Sequence, residues 1–343
     1  MVNLERSIGR IIRDHRLIVP ETAVIVAVSA GPDSMALLHI LASLRPALQC
    51  GLVAAYVDHG LRPSEIPGEI DCVQQAAQRL DLPCEILSVN AKDFAAGEKR
   101  SLEDGARRLR YQALRACARR HGARAIAVAH TADDQVEEVL LRLLRGSGRK
   151  GLAGMRLRND DLIRPLLKTT KEQVLEYLGG RGIAFCHDSS NDDLCFLRNR
   201  VRHVLLPLLE KYFEPGIRKA LLKSAENLQQ DEDYLAGQVE ECWQRLVRPG
   251  TGGKGESSLL DRHGFITLHG CLQRRLVERL LWSLGCPARY AHILAIQQAA
   301  THGKTGSELH LSKGLRVGVN RNSLEFSYPR GRTAWRGRLS DVR

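Results

Sequence analysis

The sequence lacks any Cys-x-x-Cys pair, although it contains nine cysteines. The two closest cysteines, Cys186 and Cys195, are still too far apart in the chain for such a motif. This absence argues against zinc ribbons and iron–sulfur sites, and the odd number argues against a complete disulfide scaffold. We therefore expect reduced, mostly buried thiols, as in a cytoplasmic protein.

Long apolar runs and acidic residues are also in short supply. The longest apolar run near the N-terminus covers residues 23–28, which suits a strand but neither a signal-peptide core nor a membrane span. Asp plus Glu number 39 against 51 Lys plus Arg, which gives a formal charge of +12. Such a surplus indicates a polyanionic partner, with nucleic acid as the first candidate, although a merely basic protein would have the same composition.

A regular alternation of apolar and amphipathic segments begins at residue 23. Apolar runs predict strands at residues 23–28, 52–57, 84–89, 125–129 and, more weakly, 162–166. Amphipathic segments predict a first helix at residues 3–16 and further helices at residues 35–44, 69–80, 102–121 and 133–144. The alternation predicts an α/β fold with a parallel sheet covered on both faces, whose ligands lie at the carboxyl ends of the strands.

The rest of the chain divides by composition. Residues 196–247 have a helical pattern, and residues 248–255 are glycine-rich, as in a flexible linker. Two helices and three short strands are predicted beyond this linker. We therefore predict a catalytic domain at residues 1–212, a helical segment and linker at 213–254, a small α+β domain at 255–329 and a disordered basic tail at 330–343.

The loop after the first predicted strand carries the clearest chemical signal. It consists of Ser29, Ala30, Gly31, Pro32, Asp33 and Ser34. A strand–loop–helix junction directs backbone N–H groups and a helix N-terminus at a phosphate, and both serine hydroxyls can donate to it. Asp33 would repel a bare phosphate, so we expect it to act through Mg²⁺. A Walker loop is excluded because no Gly-Lys-Ser/Thr follows; a plain turn capped by Ser34 remains the alternative.

This loop resembles the pyrophosphate loop, or PP-loop, of N-type ATP pyrophosphatases, which activate a carbonyl by adenylation and release pyrophosphate. The usual pattern is Ser-Gly-Gly-x-Asp-Ser, and Ala30 departs from it at the second position. If that position needs a positive φ, alanine costs roughly 1 kcal/mol there. The resemblance implies that residues 29–34 bind ATP.

Further motifs narrow the family. They lie at residues 58–62, 103–111, 130–151, 188–192 and 198–203, and together they resemble tRNA(Ile)-lysidine synthetases. That family of ligases joins free L-lysine to the wobble cytidine of the tRNA(Ile) with a CAU anticodon. The ring carbonyl oxygen of the base first attacks the α-phosphate of ATP, and the lysine ε-amine then displaces AMP.

The resemblance implies roles for particular residues. Asp134 and Glu137, three apart on one helix, are expected to hold lysine, with His130 near the nucleotide. Arg110 and Arg202 are expected to contact the reacting groups or the target base. The catalytic candidates are therefore Asp33, Asp134, Arg110 and Arg202. Helix capping is the alternative for Asp134 or its neighbour Asp133.

Basic residues near a Gly-Ser-Gly loop and in the later motif are expected to contact the tRNA backbone. They are Arg145, Arg149, Lys150, Arg200 and Arg202. An ordinary solvated surface cluster is the alternative for the residues around the loop.

Three other functions remain open. A PP-loop tRNA thiolation enzyme is disfavoured by the absence of paired cysteines, and a synthetase acting on a small metabolite is disfavoured by the basic charge. A non-catalytic RNA-binding protein with the same fold is disfavoured because Asp33, Asp134 and Glu137 are intact. The sequence also leaves the oligomeric state open, with a homodimer among the alternatives.

Overall fold

The computed structural model describes residues 4–60, 64–90, 102–186, 193–250 and 257–329. Motif residues 61–62 and 188–192 and the predicted basic tail lie outside these ranges. The chain divides into two compact units, residues 1–229 and residues 230–343. No helix among the described residues is both long and apolar enough to cross a membrane.

A six-stranded sheet forms the centre of the first unit. Its strands are β1 (Ala23–Val28), β2 (Gly51–Asp58), β3 (Cys84–Ser88), β4 (Ala123–Ala127), β5 (Arg158–Asn159) and β6 (Leu162–Ile163). The strand order is β3-β2-β1-β4-β6-β5, with β5 antiparallel to β6 and all other pairs parallel. From β1 the chain continues to β2 and β3 on one side of the sheet, whereas from β4 it continues to β5 and β6 on the other side. The connections after β1 and β4 therefore lead to opposite edges of the sheet, and a crevice lies between the carboxyl ends of these two strands.

Helices cover both faces of this sheet. They are α1 (Leu4–Asp14), α2 (Pro32–Leu48), α3 (Ile66–Arg79), α4 (Leu102–Arg120), α5 (Ala132–Leu144), α6 (Arg149–Leu152) and α7 (Lys171–Arg181). Val24 and Val26 of β1 belong to one buried cluster, and Ile25 belongs to another cluster that contains Leu114 of α4. Successive strand residues point to opposite faces, which is why a doubly covered strand is apolar throughout.

A helical run follows the sheet at residues 197–212. It consists of α8 (Leu197–Arg200), a π-helical turn (Val201–Leu205) and α9 (Leu206–Tyr212), and it is followed by α10 (Ile217–Leu246). Val201 and Leu206 are buried against Val136 and Leu140 of α5. This packing holds the run beside the helix that carries the predicted acidic pair.

The second unit contains a five-stranded antiparallel sheet in the order β7-β8-β11-β10-β9. Its strands are β7 (Val247–Pro249), β8 (Ser257–Asp261), β9 (Glu308–His310), β10 (Arg316–Val319) and β11 (Ser323–Ser327). The helices α11 (Arg262–Ile266), α12 (Gly270–Ser283) and α13 (Tyr290–His302) share its core, to which Phe265, Leu280 and Phe326 contribute.

The predicted fold class is confirmed in both units, and several elements differ from the prediction. The helix α7 and the strands β5, β7 and β8 were not predicted. The strand expected at residues 162–166 is shorter, because only Leu162 and Ile163 pair with β4. The segment predicted as a linker begins in a strand, since Arg248 and Pro249 pair with β8.

Candidate active site

The candidate site lies where β1 and β4 end side by side in the first unit. The PP-loop residues 29–34 follow β1, and His130, Thr131 and the start of α5 follow β4. In a parallel sheet with this strand order, the crevice beyond these two ends is the expected ligand site. The sheet therefore brings together two motifs that are about a hundred residues apart in the sequence.

The PP-loop is held by its own serines. The backbone N–H of Ser29 donates to Oγ of Ser34 (3.0 Å), and that hydroxyl donates to the carbonyl oxygen of Gly31 (2.9 Å). Gly31 is the N-cap of α2, so Ser34 lies inside the first turn and is not the cap itself. Backbone N–H groups in this first turn have no partner within the helix, which suits them to an anion.

Ala30 has the left-handed conformation that the usual glycine would adopt easily. Its φ is +58°, and its methyl group is fully buried in the main hydrophobic cluster. The carbonyl oxygen of Ala30 accepts a hydrogen bond from the backbone N–H of Cys186 (2.9 Å). Position 30 therefore does need a positive φ, so alanine is strained there. Burial of its methyl group offsets part of this conformational cost.

Asp33 is only partly satisfied. Its Oδ2 accepts a short ion pair from Nζ of Lys171 (2.6 Å), whereas no described residue hydrogen-bonds its buried Oδ1. Burial raises the pKa of this carboxyl, the nearby Asp134 adds to the rise, and Lys171 opposes it. A carboxylate with one unpaired, buried oxygen beside a phosphate loop fits the donor that Mg²⁺ requires.

The two carboxylate oxygens of Asp134 have different partners. Its Oδ2 accepts hydrogen bonds from the backbone N–H (2.8 Å) and the hydroxyl (3.0 Å) of Thr131, which caps α5. Its Oδ1 receives Nη2 of Arg198 at 2.9 Å. Burial alone would raise the pKa of Asp134, but the charge of Arg198 and the hydrogen bond from the backbone N–H of Thr131 together lower it. Helix capping, the alternative to lysine binding for this residue, is therefore observed, and contact of Asp134 with lysine stays a prediction.

Glu137 is almost completely buried, with a side-chain exposure of 1%, and two arginines neutralise it. Arg198 donates from Nε to Oε2 (2.8 Å), and Arg202 donates from Nε to Oε1 (2.5 Å) and from Nη2 to Oε2 (3.1 Å). With Asp134, these residues form a closed cluster of two acids and two arginines. We call it the acid–arginine cluster (Asp134, Glu137, Arg198 and Arg202).

His130 is a neutral imidazole at physiological pH. Burial is the main cause that lowers its pKa to about 3, and the charges of Arg164, Arg107 and Arg198 act in the same direction. Nε of Arg164 lies 3.2 Å from Nδ1 of His130, so Nδ1 accepts and Nε2 carries the ring proton. The imidazole is therefore a neutral N–H donor rather than a cation.

Asp133, the neighbour of Asp134, joins three elements. Its Oδ2 accepts the backbone N–H of Lys171 at the start of α7 (2.7 Å), and its Oδ1 pairs with Nη1 of Arg218 (3.0 Å). Arg218 also forms an ion pair with Glu210 (2.7 Å). Asp133 therefore has an architectural role, and it fixes α7 relative to α5.

The other predicted site residues are not members of the acid–arginine cluster. The guanidinium of Arg110 stacks against the ring of Tyr111 at 5.5 Å from its centroid, and its contact with reacting groups stays a prediction. Arg145, Arg149, Lys150 and Arg200 are exposed. The nearby Arg142, by contrast, is tied down by Glu138 (2.7 Å) and by the carbonyl oxygen of Gly151 (2.8 Å).

Three basic residues at the site were not predicted, namely Lys171, Arg164 and Arg198. Arg198 belonged to a recognised motif, but its sequence gave no sign that it faces two acids some sixty residues earlier. Lys171 could have been located, since Thr170 and Gln173 form a capping box that marks the start of α7.

Comparison with known proteins agrees with this geometry. A family model described as a PP-loop domain matches residues 1–209, which defines the class of the first unit as an ATP-utilising PP-loop domain. The tRNA(Ile)-lysidine synthase of Geobacter sulfurreducens is 37% identical over 320 residues, which cover 92% of this chain and 67% of that protein. The enzyme of the same name from Bacillus subtilis is 32% identical, over 94% of this chain and 69% of that protein. The chain belongs to the tRNA(Ile)-lysidine synthase family.

A solved structure supports the fold. The U34-tRNA thiolase NcsA from Methanococcus maripaludis matches with a TM-score of 0.55 at 17% identity, over 67% of this chain and 80% of that one. At this identity the likeness concerns the fold alone.

Proposed function

We propose that this protein ligates L-lysine to the wobble cytidine of the CAU anticodon of tRNA(Ile), in the cytoplasm and with consumption of ATP. One observation carries the proposal: the PP-loop and the acidic pair Asp134 and Glu137 follow the neighbouring strands β1 and β4. A nucleotide bound at the loop and an amine bound at the acids would then share one crevice. The family of the chain supplies the identity of the acceptor and of the amine.

The first step forms an adenylated base. The ring carbonyl oxygen attacks the α-phosphorus, the bond from that phosphorus to the β-bridging oxygen breaks, and pyrophosphate leaves with the electron pair. Backbone N–H groups of the loop, the hydroxyl of Ser29 and the N-terminus of α2 are placed to stabilise this charge. Mg²⁺ would be held by Asp33 through its unpaired Oδ1 and would supply further charge neutralisation.

The second step needs an unprotonated amine. The ε-ammonium group of free lysine has a pKa of ~10.4, so a carboxylate of the site must hold it and accept its proton before attack. The amine then bonds to the activated ring carbon, and AMP leaves with the former carbonyl oxygen. Asp134 and Glu137 provide the carboxylates, and the lysine ammonium would take the place of one guanidinium of the acid–arginine cluster.

An arginine that lysine displaces from the acid–arginine cluster would be free to contact the RNA or the adenylate. Arg202 is the candidate for the target base or the adenylate, because a guanidinium can stack on a base and pair with phosphate. The exposed side chains of Arg145, Arg149, Lys150 and Arg200 would contact the RNA backbone without reading its sequence.

The experiment is incorporation of radiolabelled lysine into a tRNA(Ile) transcript with a CAU anticodon, in the presence of ATP and Mg²⁺. We expect label in the tRNA, with one pyrophosphate and one AMP released per lysine. A transcript whose wobble cytidine is replaced by uridine serves as the matched control and should accept none. Absence of incorporation into the cytidine transcript, or equal incorporation into both, would contradict the proposed reaction. Size-exclusion chromatography of the same protein tests the homodimer, which stays a prediction.

A further inference from the structure

Lys171 comes from a distant segment and lies against the PP-loop. It is the first residue of α7, and its Nζ is 2.6 Å from Oδ2 of Asp33. The lysine side chain is nevertheless 40% exposed, so the ion pair is only partly buried. The charge at the end of this side chain therefore borders the crevice in which the PP-loop would hold a nucleotide.

The backbone of Lys171 is fixed, while its ammonium group has one exchangeable partner. Thr170 caps α7 through a capping box with Gln173, and Asp133 accepts the backbone N–H of Lys171 at 2.7 Å. Arg218 in turn holds the other oxygen of Asp133 at 3.0 Å. Thus the base of the side chain is anchored from two sides, and only its flexible four-carbon stem needs to move for the ammonium group to change partner.

This position is unfavourable for a lysine that serves stability alone. A cation in the first turn of a helix is repelled by the partial positive charge of the helix N-terminus. A partly exposed ion pair also contributes little to folding. The same location is favourable for a cation that meets a bound anion.

Two cations, the Lys171 ammonium group and a bound Mg²⁺, would compete for the carboxylate of Asp33. Its Oδ2 pairs with Lys171, and its buried Oδ1 has no hydrogen-bond partner among the described residues. A divalent cation bound by this carboxylate would compete with the ammonium group, because both are positive and would lie side by side. Lys171 would then need another anion close by, and the PP-loop holds the pyrophosphate portion of ATP next to it.

We propose that Lys171 is a pyrophosphate-binding catalytic residue, which exchanges Asp33 for the β- and γ-phosphate oxygens of ATP when the nucleotide binds with Mg²⁺. This inference rests on the proposed adenylation reaction. As the oxygen of the acceptor bonds to the α-phosphorus and the α–β bridge breaks, the electron pair passes to the pyrophosphate. The N–H groups of Lys171 stabilise that growing negative charge and no proton is transferred.

The test compares Lys171→Met, Lys171→Arg and the matched control Lys168→Met. Lys168 lies in the same connecting segment and forms a similar ion pair, with Glu226 at 2.9 Å, away from the PP-loop. The binding of inorganic pyrophosphate with Mg²⁺ and the binding of AMP are measured for each protein by isothermal titration calorimetry. The melting temperature without ligand reports on folding.

We expect Lys171→Met to weaken pyrophosphate binding by roughly tenfold or more, which corresponds to about 1.4 kcal/mol. AMP binding should be unchanged, because AMP lacks the β- and γ-phosphates. Lys171→Arg should restore most of the pyrophosphate affinity, and Lys168→Met should resemble the wild type. In steady-state adenylation assays, Lys171→Met should lower kcat together with kcat/KM for ATP, as expected for an interaction that strengthens in the transition state.

If Lys171 only neutralised Asp33, the change in pyrophosphate affinity in the Lys171→Met variant would have the opposite sign. Its removal would free the carboxylate for Mg²⁺, so Lys171→Met would bind pyrophosphate and Mg²⁺ as tightly as the wild type or more tightly. That result, in a variant with a normal melting temperature, would overturn the proposal. Equal weakening of AMP and pyrophosphate binding would also overturn it. Failure of lysine incorporation by the wild type, with the ligand-binding pattern as expected, would contradict only the proposed acceptor reaction.

Discussion

At the scale of single residues, the site shows which side chains a motif can reveal. Asp33, His130, Asp134 and Glu137 lie in the loops and helices that follow β1 and β4, so their positions could be predicted from the strand pattern and the resemblance. Arg198 and Lys171 lie on helices that approach the site from later in the chain. Nothing local distinguishes such a residue from a solvated surface charge, because its partner is set by tertiary packing alone.

Glu137 offers a sharp test of the acidic pair. Glu137→Gln removes one of two carboxylates that face Arg198 and Arg202, and it should raise the KM for lysine far more than the KM for ATP. Loss of one partner of a buried charge costs about 2–5 kcal/mol. Steady-state kinetics with each substrate varied in turn would measure the two effects.

The next residue provides the control for this variant. Glu138 is paired with Arg142 on the same helix at 2.7 Å, outside the acid–arginine cluster. Glu138→Gln should leave the KM for lysine near the wild-type value. If Glu137→Gln raised both KM values equally and lowered the melting temperature, Glu137 would have only an architectural role.

His130 should make stability depend on pH. Its pKa is about 3 in the folded chain, against near 6.5 in the unfolded chain. Below about pH 6.5 the unfolded chain binds a proton that the folded chain rejects, so stability is lost progressively as the pH falls toward 3. His39, whose pKa is also lowered by burial, acts in the same direction.

The variant His130→Gln isolates this contribution, since a glutamine oxygen can still accept from Arg164. Between pH 7 and pH 5 it should lose less stability than the wild type, by up to about 2 kcal/mol. Urea unfolding at both pH values measures the difference. His39→Gln is the comparison that reports the second histidine. An identical pH dependence of His130→Gln and the wild type would show that His130 titrates normally in the folded protein.

At the scale of elements, the sheet was predictable and several short segments were not. The strand β1 is apolar throughout, and β2 is apolar up to Asp58, because helices cover both of their faces. The strand β7 contains Pro249 and lies at the edge of its sheet, where proline is tolerated but hides the strand signal. The helix α7 has a weak apolar pattern, and only its capping box marks it.

The segment after α6 should be sensitive to a single methyl group. Gly154 has a φ of +72°, and a Cβ there would lie 2.6 Å from Nε2 of Gln135. That buried amide of α5 donates to the carbonyl oxygen of Met155 (2.9 Å) and accepts from its backbone N–H (2.7 Å). Gly154→Ala should therefore destabilise the protein by at least about 2 kcal/mol, measured by urea unfolding.

Another glycine, the N-cap of α6, is the control. Gly148 has a φ of −71°, and a Cβ there would meet no atom within 4 Å. Gly148→Ala should change stability by less than about 1 kcal/mol. Comparable losses in both variants would mean that Gln135 moves aside at little cost.

At the scale of the whole molecule, the charge predicts how the protein responds to salt. The tail at residues 330–343 contains five arginines and one aspartate, so its removal lowers the formal charge from +12 to +8. Each phosphate contact steepens the log–log salt dependence of binding by roughly 0.7–0.9. Removal of residues 330–343 should weaken binding of tRNA(Ile) and of elongator tRNA(Met) alike and flatten the salt slope by up to about 4.

A charge-preserving control separates net charge from specific contacts. Replacement of the five tail arginines by lysine should retain the slope, measured by filter binding at several salt concentrations. They are Arg330, Arg332, Arg336, Arg338 and Arg343. A truncated protein with an unchanged slope would place all phosphate contacts elsewhere, and the predicted role of the tail would be wrong.

The π-helical turn at Val201–Leu205 limits how the chain could change in length. Each residue of an α-helix advances the side-chain direction by about 100°. A turn of about five π-helical residues rotates the chain nearly as far as about four α-helical residues, so deletion of one residue would let it close into an α-helix. Leu206 would then stay against Val136 and Leu140 while Arg202 kept its place. Any other insertion or deletion in this stretch would separate the packing of the following helix from the charge cluster before it. Length variation among related chains should therefore be tolerated on the surface loops, whereas between Arg202 and Leu206 it should be confined to loss of the one extra residue.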